Sequence, residues 1–138
     1  MLKNTIILIF IISFAFFSCN KKKEILTKNV SESKFIAYYF HPTARCESCI
    51  NLESYMKEII DTKYSKDGIK FIALNIEDAE NEHYKKDFDL KYSSVILVKS
   101  DGEKYNKWKN LDSVWSYTDD KEKFIKYAEK EIINFIKE

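Results

Sequence analysis

Three short apolar runs in the middle of the chain predict buried β-strands. The runs "KFIAYYF" (34–40), "IKFIALNI" (69–76) and "SVILV" (94–98) are rich in β-branched and aromatic residues and lack polar alternation. Runs of this kind are typical of strands that are covered on both faces of a sheet. We therefore expect three central strands whose two faces are both buried.

Two helices are predicted between these strands, and a third at the end of the chain. "CINLESYMKEIIDTKY" (49–64) carries apolar residues at helical spacing, and Gly68 just beyond it supplies a stop signal. "EDAENEHYKKDFDL" (77–90) predicts a weaker, more polar helix. Asp119 and Glu122 are interpreted as the capping pair of the closing helix. The apolar face of that helix comprises Phe124, Tyr127, Ala128, Ile132, Phe135 and Ile136.

The order of these elements predicts an α/β fold. Asp101 and Gly102 form a hairpin turn that leads to an edge strand in "EKYNKWKN" (103–110). Strands joined through helices are expected to be parallel, and the hairpin adds an antiparallel edge. The prediction is a three-layer α/β/α domain with a mixed central sheet of about four strands. Segment 111–118 has no assigned element, and Trp115 within it is interpreted as a packing residue.

Residues 1–18 predict an export signal that is not part of the fold. Residues 5–17 are uncharged and apolar. As a helix they would span roughly 20 Å, which is less than the roughly 30 Å hydrocarbon core of a membrane. Ser18-Cys19 resembles a bacterial lipobox, which implies cleavage before Cys19 and lipidation of that cysteine. An ordinary signal peptide that is cut nearby is the alternative.

The predicted organisation is a lipoprotein signal peptide (1–18), a lipid anchor and tether (19–33) and one folded domain (34–138). It places the domain in the bacterial cell envelope, anchored to a membrane through lipid and facing the periplasm or the outside, where disulfides persist. The chain has 23 basic and 22 acidic residues, a balance that excludes a strong nucleic-acid footprint. The sequence contains neither a dinucleotide fingerprint nor a phosphate-binding loop, so no cofactor is predicted.

Scarce residue types are concentrated in "HPTARCESC" (41–49), directly after the first predicted strand. This stretch holds the only proline, the only arginine, one of two histidines and two of three cysteines. Cys46 and Cys49 lie three residues apart where a helix begins, a spacing that brings both side chains to one face. The helix N-terminus and Arg45 favour a thiolate at Cys46, while Glu47 opposes it. We therefore predict a lowered pKa for the Cys46 thiol.

The C-x-x-C motif at a strand-to-helix junction resembles that of the thioredoxin superfamily. "FIALNIED" (71–78) and "FDLKYSSVILVKSDGE" (88–103) are also similar to later regions of that superfamily. The resemblance implies a thioredoxin-like domain from residue 34 to the end. It also implies a thiol-disulfide oxidoreductase or electron relay, with Cys46 as the attacking thiolate and Cys49 as the resolving thiol. A protein dithiol or disulfide in the envelope is the implied partner.

A narrower resemblance is to thioredoxin-fold proteins of the nitrophenyl compound nitroreductase subunit type. It depends on the stretch "FHPTARCESC" (40–49) and on the late "VW" (114–115) before the last helix. This resemblance implies an association with nitroaromatic reduction. It also implies a partner reductase that carries a flavin, because the chain itself has no nucleotide-binding motif.

The sequence departs from the thioredoxin pattern at two positions. The cis-proline that usually faces the cysteines is replaced by Ser93 or, with a shifted gap, by Ser94. The buried acid of thioredoxins falls near Tyr39 or Phe40, so no carboxylate is expected there. These neighbours set the redox potential, so the direction of electron flow stays open.

The remaining candidate residues have two interpretations each. His41 is either the group that handles protons near the cysteines or a histidine that forms a hydrogen bond at a strand end. Pro42 is expected to end the strand and, with Ser93 and Ser94, to shape the substrate surface. His83 is interpreted as a solvated surface residue.

Two further functions stay open from the sequence. Cys46, Cys49 and His41 offer three ligands that suit Cu(I) or Zn²⁺, so a metal-binding thioredoxin-fold protein is one alternative. The other is a non-catalytic subunit of a nitroaromatic reductase system, in which the two cysteines form a merely local disulfide.

Overall fold

The computed structural model describes residues 34–101 and 104–138, and they form one α/β domain. The predicted signal peptide and lipid tether, residues 1–33, lie outside the described residues. The predicted order of strands and helices is confirmed. In chain order the elements are β1 (Phe35–His41), α1 (Glu47–Ile59), β2 (Ile69–Asn75), α2 (His83–Asp87), β3 (Ser94–Ser100), β4 (Tyr105–Asn110) and α3 (Lys121–Lys137).

The four strands form a mixed sheet in the order β2-β1-β3-β4, as the predicted fold class requires. β1 is parallel to β2, whereas β3 is antiparallel to both β1 and β4. The expectation that β3 would be parallel to the first two strands is wrong. The five-residue helix α2 spans about 8 Å, while a seven-residue strand spans about 23 Å. Because α2 is too short to carry the chain back along the length of the sheet, β3 begins at the same end of the strands at which β2 finishes.

β1 lies in the centre of the sheet and separates two apolar layers. Its residues Ala37 and Tyr39 face the layer formed with α1 and α3, whereas Ile36, Tyr38 and Phe40 face the layer near α2. Burial on both faces is confirmed for β1 and β3. It is wrong for β2, which is only half-buried along most of its length because it lies at one side of the described sheet.

The first predicted helix extends from α1 into a π-helical turn (Ile60–Tyr64) and a short 3₁₀ turn (Ser65–Asp67). Gly68 then adopts φ +78°, a left-handed conformation that glycine tolerates and that ends helices. The predicted stop is therefore confirmed. In the described part of the chain, no helix has both the length and the apolar character that a membrane crossing requires.

The N-cap of the closing helix lies one residue later than the predicted N-cap. Asp120, and not Asp119, is the N-cap of α3, and its side chain accepts a hydrogen bond from the Lys123 backbone N–H at 3.1 Å. Two adjacent aspartates are equally good caps by sequence, so the end of the preceding turn decides between them. That turn is a 3₁₀ helix (Asp112–Tyr117), and Trp115 within it packs against the core, as predicted.

Candidate active site

The two cysteines lie where β1 passes into α1, as the sequence predicts. β1 ends at His41, and Cys46 is the N-cap of α1. Cys46 and Cys49 form a disulfide whose Cα atoms are 5.0 Å apart. The Cys46 Sγ also accepts a hydrogen bond from the Cys49 backbone N–H at 3.2 Å. The Cys46 sulfur therefore lies at the N-terminus of α1, where backbone N–H groups without a helical partner favour a negative charge.

The two sulfur-bearing residues differ in their exposure to solvent. Cys46 is exposed, whereas Cys49 is only 7% exposed and packs with the core residues of α1. A large disulfide partner can therefore reach Cys46 but not Cys49. This asymmetry suits a pair in which one thiol attacks an external disulfide and the other completes the exchange from inside.

Arg45 is held beside the disulfide by two contacts. Its guanidinium forms an ion pair with Glu53, two turns along α1, and lies 5.5 Å from the centre of the Tyr39 ring. Glu53 offsets part of the positive charge that the sequence assigned to Arg45 alone. Sequence patterns did not point to Glu53. Arg45 lies in the loop before α1, and the path of that loop determines how close the Arg45 side chain comes to Glu53 in the helix. The predicted lowering of the Cys46 pKa stays a prediction, because oxidised cysteines do not titrate.

Tyr39 is one of the two β1 residues near which the sequence predicted that no carboxylate would lie. Its hydroxyl donates a hydrogen bond to the Cys49 carbonyl oxygen at 3.3 Å, from a side chain that is fully buried. Burial raises the pKa of Tyr39, although the nearby Arg45 charge and a hydrogen bond with Ser93 oppose that effect. The side chain that contacts the Cys49 backbone is thus a neutral phenol near neutral pH. Sequence reasoning noted the missing carboxylate but missed this contact.

His41 forms a hydrogen bond at the end of β1. Its Nδ1 lies 3.0 Å from the Pro42 carbonyl oxygen, and its ring centre lies 5.6 Å from that of Tyr39. Because a carbonyl can only accept, Nδ1 carries the proton and Nε2 is left as the basic nitrogen. This geometry matches the interpretation of His41 as a strand-end histidine. Its role in proton transfer stays a prediction.

The serines at the predicted cis-proline position occupy different environments. The described residues contain no cis peptide bond. Ser94 begins β3 and is buried, and its hydroxyl donates to the Tyr92 carbonyl at 2.9 Å. Ser93, directly before the strand, is half-buried and contacts Tyr39. Ser93 is therefore the serine that lies next to the site. Pro42 directly follows β1, so its predicted position at the strand end is confirmed.

The loop that carries the site is tied to the segment after β2. The Thr43 backbone N–H donates to the Glu77 carboxylate at 3.0 Å, and the Asn75 side-chain amide donates to the Thr43 hydroxyl at 2.9 Å. The Ile76 backbone N–H donates to the His41 carbonyl at 2.9 Å. The hydrogen bonds from Thr43 lower the pKa of Glu77. Sequence reasoning missed this connection because its partners are more than thirty residues apart.

The second histidine, His83, is exposed, as predicted, and its Nδ1 lies 3.0 Å from the Glu80 carbonyl oxygen.

The metal-binding alternative requires several ligand side chains to lie close together. Within residues 34–101 and 104–138, no three His, Cys, Asp or Glu side chains are grouped so that they could hold a metal ion. The metal-binding alternative with His41, Cys46 and Cys49 therefore gains no support from the geometry.

Among solved structures, the chain is similar to thioredoxins at low identity. An Entamoeba histolytica thioredoxin mutant is 20% identical, with a TM-score of 0.45 over 78% of this chain and 92% of that chain. Mitochondrial thioredoxin 3 from Saccharomyces cerevisiae, in its oxidized form, is 11% identical, with a TM-score of 0.44 over 63% and 76%. A Thermus thermophilus thioredoxin is 10% identical, with a TM-score of 0.40 over 64% and 67%.

No family model matches the chain, and no curated protein matches it significantly. These comparisons therefore give no support to the narrower resemblance to the nitrophenyl compound nitroreductase subunit family. The described residues themselves combine a sheet in the order β2-β1-β3-β4, helices on its faces and a C-x-x-C disulfide at the first strand-to-helix junction. By these features the chain has a thioredoxin-like α/β fold.

Proposed function

We propose that this protein is a thiol-disulfide oxidoreductase that exchanges electrons with a protein dithiol or disulfide. The observation that carries the proposal is the disulfide between an exposed Cys46 and a buried Cys49 at the start of α1. A disulfide that served only to stabilise the domain would close a short loop and gain little from it, because the stabilisation rises with loop length. Exposure of one sulfur at a helix N-terminus instead favours exchange chemistry.

The proposed reaction has two steps, beginning from the reduced pair. The Cys46 thiolate attacks one sulfur of the partner disulfide, so that a mixed disulfide forms and one partner thiolate leaves. The Cys49 thiolate then attacks the Cys46 sulfur, the Cys46–Cys49 bond forms and the second partner thiolate leaves. The partner gains two electrons and two protons, and the cysteine pair loses them. The same steps in reverse oxidise a partner dithiol.

The residues around the pair have distinct proposed roles in these steps. The first-turn amides of α1 and the Arg45 charge favour the thiolate of Cys46, and that effect is tempered by the ion pair with Glu53. His41 lies next to Tyr39, with Nε2 as the nitrogen that does not face the Pro42 carbonyl, and its proposed role is to accept the Cys49 proton. The proposed role of Ser93 and Pro42 is to shape the surface on which the partner docks.

Trapping of a mixed disulfide tests the proposal. In cells that express the Cys49→Ser variant, we expect Cys46 to stay bonded to its partner, because no internal thiol can release it. The complexes are to be separated on a non-reducing gel and their partners identified by mass spectrometry. Recovery of a reductase of nitroaromatic compounds among these partners would support the narrower resemblance to nitroreductase subunits.

The matched control is the Cys46→Ser/Cys49→Ser double variant, which has no thiol at the site and should trap nothing. Complexes that are equally abundant in the double variant would mean that Cys19 or another contact captures the partner. Absence of any complex from the single variant, together with normal cellular function of the double variant, would favour the non-catalytic subunit.

The location in the cell envelope is part of the same proposal, and its support comes from the sequence alone. The apolar stretch 5–17 followed by Ser18-Cys19 resembles a lipoprotein signal. In a bacterial host fed with labelled fatty acid, we expect label on the wild-type protein and on Cys46→Ala, and none on Cys19→Ala. Equal labelling of the Cys19→Ala variant, or an unlabelled wild type, would contradict lipid attachment at Cys19.

A further inference from the structure

We infer that Tyr39 is a positioning residue for Cys49, and that its hydroxyl sets how fast the internal thiol resolves the mixed disulfide. This inference rests on the proposed function. Tyr39 lies in the centre of β1, with its side chain in the layer of α1, and its hydroxyl donates to the Cys49 carbonyl at 3.3 Å. No other side chain of the described residues is shown to bond to the Cys49 backbone carbonyl.

Two contacts fix the Cys49 residue through its backbone. Its N–H donates to the Cys46 sulfur at 3.2 Å, and its C=O accepts from Tyr39. The first contact depends on Cys46, whose sulfur changes partner during the reaction. The second contact does not involve a sulfur atom and can persist through both steps. Cys49 also belongs to the hydrogen-bonded helix α1, and Tyr39 adds a contact from outside that helix that can hold its first turn in place while Cys46 is bonded to a partner.

Tyr39 is itself held on several sides. β1 pairs with β2 on one side and with β3 on the other, so the Tyr39 backbone is anchored at the centre of the sheet. The Arg45 guanidinium lies 5.5 Å from the ring centre, and the Ser93 side chain lies close enough to the phenol to affect its pKa. A hydroxyl on so rigid a support can define the position of the first turn of α1.

The resolving step depends strongly on this position. The Cys49 thiolate must approach the Cys46 sulfur along the axis of the bond to the departing partner, and small misplacements of reacting atoms slow such steps. Since Cys49 is buried, it cannot correct its position by moving into solvent. The raised pKa of Tyr39 keeps the phenol protonated near neutral pH, so that it remains a donor. Attack by the exposed Cys46 on an external disulfide does not need the Tyr39 contact.

The chain offers a matched pair of variants for the test. Tyr39→Phe removes one hydroxyl and leaves the ring. Tyr38→Phe removes one hydroxyl from the neighbouring residue, which is equally buried but faces the opposite layer. The Tyr38 hydroxyl forms no hydrogen bond of normal geometry, although Tyr84 and Tyr105 lie close enough to affect its pKa. Tyr38→Phe therefore controls for the loss of a buried phenol on β1.

The experiment uses the full-length, reduced protein with Cys19→Ser in every sample, so that Cys46 and Cys49 are the only thiols, and an excess of the aromatic disulfide 5,5′-dithiobis(2-nitrobenzoic acid). Attack by Cys46 releases one coloured thiolate, and resolution by Cys49 releases a second, so stopped-flow absorbance gives both rate constants. We expect Tyr39→Phe to slow the second release about tenfold and to leave the first within about twofold. Tyr38→Phe should leave both rate constants within about twofold of wild type.

An unchanged second release in Tyr39→Phe, or equal slowing of both releases, would overturn the inference. A wild-type protein that releases no second thiolate would instead overturn the proposed function.

Discussion

Disulfide reduction by the Cys46→Ser variant is expected to fall by about 10³-fold or more relative to wild type. Cys46 is the exposed member of the pair, whereas Cys49 is 7% exposed, so no other thiol at the site can meet a protein disulfide. A serine hydroxyl is not ionised near neutral pH and cannot replace the thiolate. Turnover is to be measured with a small protein disulfide as substrate and dithiothreitol as the reductant.

Cys49→Ser is the matched control for this loss. It is expected to retain the first attack, with a rate constant within about threefold of wild type, but to stop after one mixed disulfide. Circular dichroism on both variants checks that the fold is kept. Turnover of Cys46→Ser within about tenfold of wild type would show that the exchange proceeds elsewhere, through Cys49 or Cys19.

Replacement of Ile132 by alanine is expected to lower the free energy of unfolding by about 2–5 kcal/mol. Ile132 is 1% exposed on α3 and belongs to the core cluster that includes Leu52, Met56 and Ile59 of α1. Its removal leaves a cavity between the two helices on the layer that supports the disulfide, and close-packed side chains fill such cavities only in part.

Ile133 is the matched control, because it is the adjacent residue of the same type and is 40% exposed. Ile133→Ala is expected to change the free energy of unfolding by about 0.5 kcal/mol or less. Urea denaturation of the oxidised proteins gives both values from the midpoint and the slope. Similar losses for the two variants would contradict the placement of the apolar face of α3. A substantial change in the denaturant slope would instead indicate that the denatured state had changed.

Local patterns were sufficient for the order of elements and for the place of the site. An apolar run without polar alternation predicted β1, and apolar residues at helical spacing predicted α1. The nine-residue stretch 41–49 then had to lie at their junction, where Cys46 became the N-cap of α1. These inferences depend on contacts within one or two turns, which neighbouring residues control directly.

Those local patterns could not predict the direction of each strand or how deeply it is buried. The rule that helix-linked strands are parallel failed at β3, because α2 has only five residues and does not cross the sheet. β2 was predicted from the same kind of apolar run as β1, but it lies at one side of the described sheet, so its side chains are only half-buried. Composition does not reveal which strand takes the centre, because that depends on how the whole sheet assembles.

The surroundings of the cysteines show the same division. Cys46, Cys49, Arg45 and Pro42 could be placed from the sequence because they are neighbours along the chain. Tyr39 comes from the middle of β1 and Glu53 from two turns into α1, and only folding brings them to Cys49 and Arg45. Sequence reasoning could record that a carboxylate was missing near Tyr39, but not that a phenol would reach the Cys49 carbonyl.

By itself, the sequence determined that a C-x-x-C pair lies at the start of a helix that follows a buried strand. The position of the pair follows from its spacing, and the strand and helix follow from the local apolar pattern. Only the tertiary structure decided that Cys46 is exposed and Cys49 is buried, and that the Tyr39 hydroxyl donates a hydrogen bond to the Cys49 carbonyl. The physical reason is that exposure and long-range hydrogen bonds depend on how layers pack, and packing joins residues whose separation along the chain carries no periodic signal.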